Sequence, residues 1–529
     1  MFSILTWIQA ILAILVLNYV VSSIRFSRKY KLPNVVPGWP LIGNTLDVPY
    51  PAGMWGVKMA KKYGEMYLSL HACNMGSPAD KSNRFTLNIG GRRLVYLNSS
   101  RVVTELLEKR ASIYSSRPHR PMLQDIMSAG ARIVFMGYTD QWRSQRKIMH
   151  SILNSTQAEK KFVPFQDLEA KQLVYEIFKD PENYHKAGQR FSNSVILSVI
   201  FGRRARKDDE LLRFIMQYTA TLGDYQFNPL KSPADVFTKL EYLPKPLQWW
   251  RPFGESFCEK HVAIFQKEND KLEEKIRAGT AKPCFAVEVI EGAARREFNI
   301  SDIEKIYTWT SLIEAGSDTS RVAILQMVAG AACYPEWAKK AREALDQVCG
   351  AKAERMPSLG DRAQIPYISA VVKETLRWRP FLQSGVPHTL TQNDEFEGYK
   401  FPAGTEFSWN AYAIALNEEE YKDPMRFDPD RFMNDDLKSI AKGHWAFGAG
   451  RRTCVGLNVG ANNLWIAAAC ILYCFDIEQD PMKDHPIDQL NTLWEEPLHA
   501  PFHVKLSPRS QAHIELIESS GAFALSADY

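Results

Sequence analysis

The chain has 529 residues, 45% of them hydrophobic and 24% charged, a composition typical of globular rather than disordered proteins. Its 65 basic and 60 acidic residues give a net charge of +5, a balance that argues against a nucleic acid partner. Eight scattered cysteines lack the spacing of a zinc site or the density of a disulfide framework, which indicates reduced thiols in a cytosol-facing protein.

Residues 1–24 contain no charged side chain and are mostly apolar, and as a helix they would cross about 30 Å of hydrocarbon. Arg25 and Arg28 follow, and the positive-inside rule places them and the remaining chain in the cytosol. A cleaved signal peptide is the alternative, but the basic flank lies on the wrong side for one. We expect a transmembrane anchor over residues 1–24, a basic and proline-rich hinge over 25–44, and one catalytic domain over 45–529.

Two short segments, 85–89 and 93–97, flank a glycine pair and predict a β-hairpin. Further along, Trp142 and Arg146 are four residues apart in a helical pattern and therefore share a face, although such a pair is common by chance. Residues 222–253 are rich in aromatic residues and proline, which is also compatible with an ordinary packed loop.

A capping box, Ser301 with Glu304, begins a helical pattern that runs to about residue 333 and ends near Pro335. Residues 315–319, with the sequence AGSDT, lie in the middle of this helix, where a glycine costs about 1 kcal/mol of helix stability relative to alanine. We expect a locally loosened turn beside an acid and a hydroxyl; the alternative is a tolerated kink.

Two further patterns carry charged residues. Glu374 and Arg377 are helical neighbours with apolar flanks that suggest burial, although most such pairs are exposed. Arg431 follows within residues 429–432, PDRF, and His388 follows a proline in a segment that could equally be an ordinary loop.

Residues 447–456, FGAGRRTCVG, place Cys454 in a glycine-rich turn that also contains Arg452. A thiolate there would lie near the positive end of a following helix, and backbone N–H groups would point at the sulfur. Both effects are expected to lower the thiol pKa and favour a metal ligand. The alternative is a buried free cysteine that behaves as a small hydrophobic residue.

The spacing Phe-x-x-Gly-x-Arg-x-Cys-x-Gly resembles the haem-ligating signature of the cytochrome P450 family. The other patterns match that family's marks in the same order, from the anchor to about residue 506. The resemblance is closest to microsomal-type, fungal enzymes of secondary metabolism. It implies a mainly α fold, with one large helical domain and small β-sheets.

The resemblance also implies a role for each matching residue. Cys454 would be the axial ligand of haem b iron, and Asp318 and Thr319 would be catalytic, relaying protons to activated oxygen. Glu374, Arg377 and Arg431 would form a structural clamp. The remaining cofactor-binding residues would be Arg452, Trp142, Arg146, His388, Phe447 and Gly448.

No nucleotide-binding motif is found in the sequence, so NADPH would act only through a separate NADPH–cytochrome P450 reductase. Five basic residues near the expected proximal side, Arg143, Lys147, Lys438, Lys442 and Arg451, would receive this partner, unless they are simply a solvated face. The expected location is the endoplasmic reticulum membrane, single-pass, with the catalytic domain in the cytosol. The substrate would be a hydrophobic small molecule such as a terpenoid, polyketide or alkaloid, under a roof formed by residues 222–253.

Two rival functions share these motifs: a haem-thiolate dehydratase or isomerase that needs no reductase, and a non-enzymatic membrane haem sensor. The intact Asp318–Thr319 pair argues against both. Residues 67–84 are polar and exceed the usual length at this place in the family. These residues are either a surface insertion or a gene-model error such as a retained intron.

Overall fold

The computed structural model describes residues 24–38, 52–71, 92–154, 161–205, 209–227, 231–480 and 501–527, together with a few single residues outside these ranges. Most of residues 1–23 and part of the hinge lie outside this description. The described side chains there include Ile14 and Leu17, which are helical and about 65% exposed. The anchor and the domain boundaries therefore stay predictions.

Helices make up most of the described chain. In chain order the α-helices are α1 (Gly53–Tyr63), α2 (Ser100–Val103), α3 (Ala111–Tyr114), α4 (Asp140–Leu153), α5 (Val163–Lys179), α6 (Tyr184–Phe201), α7 (Glu210–Phe227), α8 (Pro233–Val236), α9 (Arg251–Arg277), α10 (Phe285–Ala294), α11 (Asp302–Cys333), α12 (Pro335–Cys349), α13 (Pro366–Trp378), α14 (Ala411–Ala415), α15 (Leu457–Cys474) and α16 (Gln511–Ser526). Two π-helical segments, Thr104–Lys109 and Pro121–Ile126, and several 3-10 turns connect them.

The strands are short and lie in three small sheets. They are β1 (Met66–His71), β2 (Arg92–Leu97), β3 (His388–Thr389), β4 (Asp394–Phe396), β5 (Tyr399–Phe401), β6 (Glu406–Trp409), β7 (Phe475–Gln479) and β8 (Val504–Pro508). The largest sheet has the order β1-β2-β6-β3, with β2 and β6 parallel and the other pairs antiparallel. Strands β4 and β5, and strands β7 and β8, form two-stranded ribbons. The mainly α fold with small sheets is confirmed.

The hairpin prediction is confirmed for its second strand. Strand β2 covers all of residues 93–97, and it pairs with β1, with Tyr67 opposite Tyr96. The expected partner, residues 85–89, lies outside the described residues. Residues 67–71 were expected within the polar insertion, and they are strand instead because Tyr67 and Leu68 bury their side chains against the core.

Helix α11 is the central element of the core, and its predicted ends are confirmed. Ser301 and Glu304 form a reciprocal capping box, and the helix ends at Cys333. The expected loosened turn is wrong, since residues 302–333 are α-helical throughout. Gly316 instead allows close packing on α6, because a Cβ there would lie 2.8 Å from Ile196 Cγ1.

Within the described part of the chain, α15 is the helix long and apolar enough to cross a membrane. Its most apolar 18-residue stretch is 83% buried inside the protein, as expected of a central core helix.

Candidate active site

The Cys454 loop is fixed by its backbone. The Cys454 N–H donates to the Phe447 backbone oxygen at 2.8 Å, and helix α15 begins three residues after the cysteine. Gly448 and Gly450 have φ of 77° and 56°, a conformation that glycine favours. A Cβ on Gly450 would also overlap the Leu107 backbone oxygen, so this turn can lie against the segment Thr104–Lys109 only with glycine at that position.

The expectation of a lowered pKa for the Cys454 thiol is wrong in this structure. Burial raises its pKa, and this outweighs the hydrogen bond from the Gly456 N–H and the charge of Arg146, which both lower it. Interactions that lower the pKa of Cys454 are therefore present, but burial has the larger effect. A coordinated metal ion deprotonates a thiol outright, so the raised pKa is compatible with the sulfur acting as an iron ligand.

Arg452 and Trp142 are stacked beside this loop. The Arg452 guanidinium carbon lies 4.1 Å from the centre of the Trp142 ring, and its Nε and Nη2 donate to the backbone oxygens of Ser115 and Met136 at 2.7 and 2.8 Å. Arg146, one turn after Trp142 on α4, donates from Nη2 to the Thr453 backbone oxygen. Burial, together with Arg146, lowers the pKa of Arg452 to about 9, so the charged form lacks a compensating anion.

His388 and Arg117 extend this group of hydrogen-bond donors. The ring of His388 is 1% exposed; its Nδ1 lies 2.8 Å from the Tyr114 backbone oxygen, and its Nε2 is buried without a partner. Arg117 donates from Nη1 to the backbone oxygens of Val386 and Pro387 at 2.6 and 2.7 Å. Burial lowers the pKa of both side chains, and the charge of Arg452 lowers each further.

None of these four side chains, Arg117, Arg146, His388 and Arg452, forms an ion pair with a carboxylate among the described residues. Arg146 Nε is also buried without a hydrogen-bond partner. Buried cations without an anion are costly, so the group fits a ligand that brings its own carboxylates, as haem does with its two propionates. The side chains beside the Cys454 loop in this structure therefore fit haem.

The predicted catalytic pair lies on an open face of α11. Ala315 and Thr319 are exposed in the middle of a helix whose neighbouring positions Ile313, Ser317 and Ser320 are buried. Thr319 Oγ1 donates to the Ala315 backbone oxygen at 2.6 Å. The adjacent Asp318 carboxylate accepts from Arg321 Nε at 3.1 Å and is about a quarter exposed.

The structure brings Glu374, Arg377 and Arg431 into one buried network. The Glu374 carboxylate accepts from Arg377 Nε and Nη2 at 2.9 and 2.6 Å, from Arg431 Nε at 3.1 Å, and from the Asp428 N–H at 2.8 Å. Arg377 also donates to the backbone oxygens of Ala415 at 2.9 Å and Pro424 at 2.6 Å. The network therefore joins α13 to the loop that precedes the cysteine segment.

Comparison with known proteins agrees with this geometry. The cytochrome P450 family model matches residues 79–500. The cytochrome P450 monooxygenase verL of Clonostachys rogersoniana is 32% identical, with 93% of this chain and 90% of that protein covered. The cytochrome P450 monooxygenase virE of Hypocrea virens is 31% identical, with 92% and 87% covered. This chain belongs to the cytochrome P450 family. A zebra fish P450 structure with progesterone shares its fold, with a TM-score of 0.68 at 19% identity, covering 87% of this chain and all of that one.

As a cytochrome P450, the protein is a haem-dependent oxidoreductase that receives its electrons from a reductase. The sequence reasoning did not identify two groups that border this P450's site: Arg117, and the buried ion pair between Arg132 and Glu314. The available signal for Arg117 was a short segment in which basic residues alternate with prolines, residues 117–121, RPHRP. The available signal for Glu314 was the presence of an acidic residue directly before the AGSDT motif.

Proposed function

We propose that this P450 is a monooxygenase that oxidises a hydrophobic small molecule of fungal secondary metabolism, with Cys454 as the axial ligand of its haem. The observation that carries the proposal is the cluster of Arg117, Arg146, Arg452 and the buried His388 beside the Cys454 loop, with no carboxylate partner among the described residues. Such a cluster would suit an anionic cofactor held near the sulfur of Cys454. The fungal relatives named above support the pathway assignment.

The cofactor, when bound, supplies the activation of dioxygen; the side chains hold it and deliver protons. Cys454 provides the sulfur, and Phe447 fixes that residue through its backbone oxygen while Gly448 shapes the turn. Arg117, Arg146, Arg452 and His388 would bind the propionates, and Trp142 keeps the Arg452 guanidinium in place by stacking against it.

Proton delivery is assigned to Asp318 and Thr319. Asp318 is partly exposed and oriented by Arg321, so its carboxyl can take a proton from solvent and pass it along the helix face. Because the Thr319 hydroxyl donates to Ala315 O, its lone pairs remain free to accept a hydrogen bond from the open face. The clamp of Glu374, Arg377 and Arg431 takes no part in proton transfer; it holds the loop that leads to the cysteine segment.

The membrane assignment is supported by an exposed apolar patch in the roof. Tyr242, Leu247, Trp249 and Phe253 are 80, 59, 67 and 43% exposed, and Tyr242 and Trp249 are residue types enriched at membrane interfaces. With the anchor expected over residues 1–24, this patch would rest on the endoplasmic reticulum bilayer from the cytosolic side.

The reductase assignment is supported by exposed cations near the cysteine loop. Arg451 and Arg143 both contact Tyr138: each guanidinium carbon is 5.3 Å from the centre of its ring. Lys147, Lys438 and Lys442 are also exposed, so this side of the protein suits an acidic flavoprotein.

The test begins with metabolite profiles of a deletion strain and its parent. A compound that accumulates in the deletion strain is incubated with the purified protein, P450 reductase, NADPH and isotopically labelled dioxygen. We expect NADPH consumption that depends on both the compound and the reductase, and one labelled oxygen atom in the product. Conversion without reductase would instead indicate the dehydratase or isomerase, and the absence of any conversion would indicate the haem sensor.

A further inference from the structure

Glu314 lies on the same open face of α11 as the predicted catalytic pair. Positions 311, 314, 315, 318 and 319 have helical spacing, and all are partly or fully exposed, whereas Leu312, Ile313 and Ser317 between them are buried. A helix at the centre of the core can show such a stripe only where it borders open space. Glu314 is one turn before Asp318, so its carboxylate lies at the edge of the space in which oxidation takes place.

Arg132 holds Glu314 in a fixed orientation. Arg132 is fully buried, and its Nη1 donates to Glu314 Oε2. Its remaining nitrogens are also engaged, with Nε donating to Ser128 Oγ at 2.9 Å and Nη2 to the Tyr218 hydroxyl at 2.8 Å. The pair therefore connects the loop after residue 120, helix α7 and helix α11, which together surround the open face.

The other carboxylate oxygen of Glu314 has no partner. Its Oε1 is buried without a hydrogen bond, and so is the hydroxyl of Ser311 one turn earlier on the same face. An oriented carboxylate oxygen accepts hydrogen bonds only, and the Ser311 hydroxyl can both donate and accept. The two unsatisfied groups are one turn apart on the helix, next to the exposed Ala315, and a buried polar group left unpaired is unfavourable.

We propose that Glu314, oriented by Arg132, is a specificity-determining residue that accepts a hydrogen bond from a hydroxyl or N–H group of the substrate. The substrate is then an apolar molecule with at least one hydrogen-bond donor. A site built to bond a hydroxyl rejects analogues that lack it, by up to about 10⁵-fold in the strongest cases. This inference rests on the proposed monooxygenase function and narrows its substrate class.

The test uses alcohols and their methyl ethers as matched probes, since each pair shares a carbon skeleton and differs in the donor. Borneol and thymol, each against its methyl ether, are titrated into the full-length haem-containing protein, and dissociation constants are read from the change in haem absorbance. We expect each alcohol to bind at least about tenfold more tightly than its ether, the effect of one hydrogen bond to a charged group. Glu314→Gln should reduce this preference to less than about threefold.

Glu169→Gln is the matched control. Glu169 is fully buried and, like Glu314, paired with arginine, here Arg190 and Arg204, but it lies on α5 and not on the open face of α11. Its substitution should leave the alcohol preference unchanged. Ser311→Ala keeps the Arg132 pair and should reduce the preference by a smaller factor, so the test does not depend on Glu314→Gln folding normally.

Equal binding of alcohols and ethers to the parent protein would overturn the inference, and so would an unchanged alcohol preference in both Glu314→Gln and Ser311→Ala. A third contradicting result would be a loss of alcohol preference in Glu169→Gln as large as the loss in Glu314→Gln. The reduced carbon monoxide spectrum is recorded first on every variant. A parent protein without the thiolate-type band would refute the proposed function as well, whereas an intact band with one of those three results refutes this inference alone.

Discussion

Arg117 donates its Nη1 to the backbone oxygen of Pro387 at 2.7 Å, directly before His388 in the sequence. This contact joins a loop to the residue before strand β3, 270 positions later, and it places a half-buried guanidinium next to the buried imidazole of His388. The Cys454 loop contributes a third, Arg452, which lowers the pKa of both. Haem propionates are the anions that this arrangement fits.

Arg117→Leu is expected to weaken haem binding by about tenfold or more, because a hydrogen bond to a charged group contributes about 1.5–3 kcal/mol. The measurement is the rate and extent of haem transfer from the purified protein to an excess of apomyoglobin. Arg101→Leu is the control, since Arg101 is about half exposed and paired with Glu65 and Glu397 at the surface. Equal haem retention in the two variants would contradict the role of Arg117.

Glu374→Gln is expected to destabilise the protein by about 3–5 kcal/mol, because it leaves Arg377 buried with its charge uncompensated. Denaturant unfolding of the haem-containing protein, followed by circular dichroism, measures the change. Glu395→Gln removes an exposed surface charge and should cost under about 0.5 kcal/mol. A loss below about 1 kcal/mol for Glu374→Gln would show that the clamp is not an important source of stability.

His444 is expected to make the protein sensitive to acid. Burial lowers its pKa from 6.5 to about 3, so the unfolded chain takes up a proton between these values while the folded protein does not. Stability from this residue is therefore complete above pH 6.5 and falls as the pH falls toward 3. Between pH 7 and 5 the loss is about 2 kcal/mol, at about 1.4 kcal/mol for each unit below 6.5.

The comparison that isolates this effect is between the parent and His444→Asn, each unfolded at pH 7 and pH 5. The variant should lose about 2 kcal/mol less than the parent over this interval, by the same linkage argument. Identical losses in the parent and in His444→Asn would contradict the prediction.

Thr319→Ala is expected to leave haem binding intact and to divert electrons, so that less product and more hydrogen peroxide form for each NADPH consumed. Ser317→Ala is a close control, because Ser317 also donates to the carbonyl four residues earlier but its side chain is buried off the open face. Product, peroxide and NADPH are measured in the same reaction. Unchanged coupling in Thr319→Ala would remove the hydroxyl from the proton route.

The parts of the structure that follow from local sequence were predictable. The capping box at Ser301 and the stop before Pro335 define α11 within a few residues, because both depend on neighbours in the chain. The contacts of Arg117, Arg132 and Glu314 were not predictable in this way. The partners that place these side chains at the site, Pro387, Glu314 and Tyr218, lie 86 to 270 residues away, and no local pattern distinguishes a buried arginine from an exposed one.

Two errors have the same physical origin. The thiol of Cys454 was expected to have a lowered pKa because the favourable N–H groups are visible in the sequence, whereas the burial that raises it depends on the complete fold. Gly316 was expected to loosen its helix, yet its function is to admit Ile196 from α6. In both cases packing between distant segments outweighs the local preference.

The central claim is that the sulfur of Cys454 is bonded to the haem iron. The most direct test is the absorbance spectrum of the dithionite-reduced protein under carbon monoxide, for the parent, Cys454→Ala and Cys470→Ala, the last removing a buried cysteine within α15. We predict the strongly red-shifted band of a thiolate-ligated haem in the parent and in Cys470→Ala, and its loss in Cys454→Ala. An unchanged red-shifted band in Cys454→Ala would contradict the account.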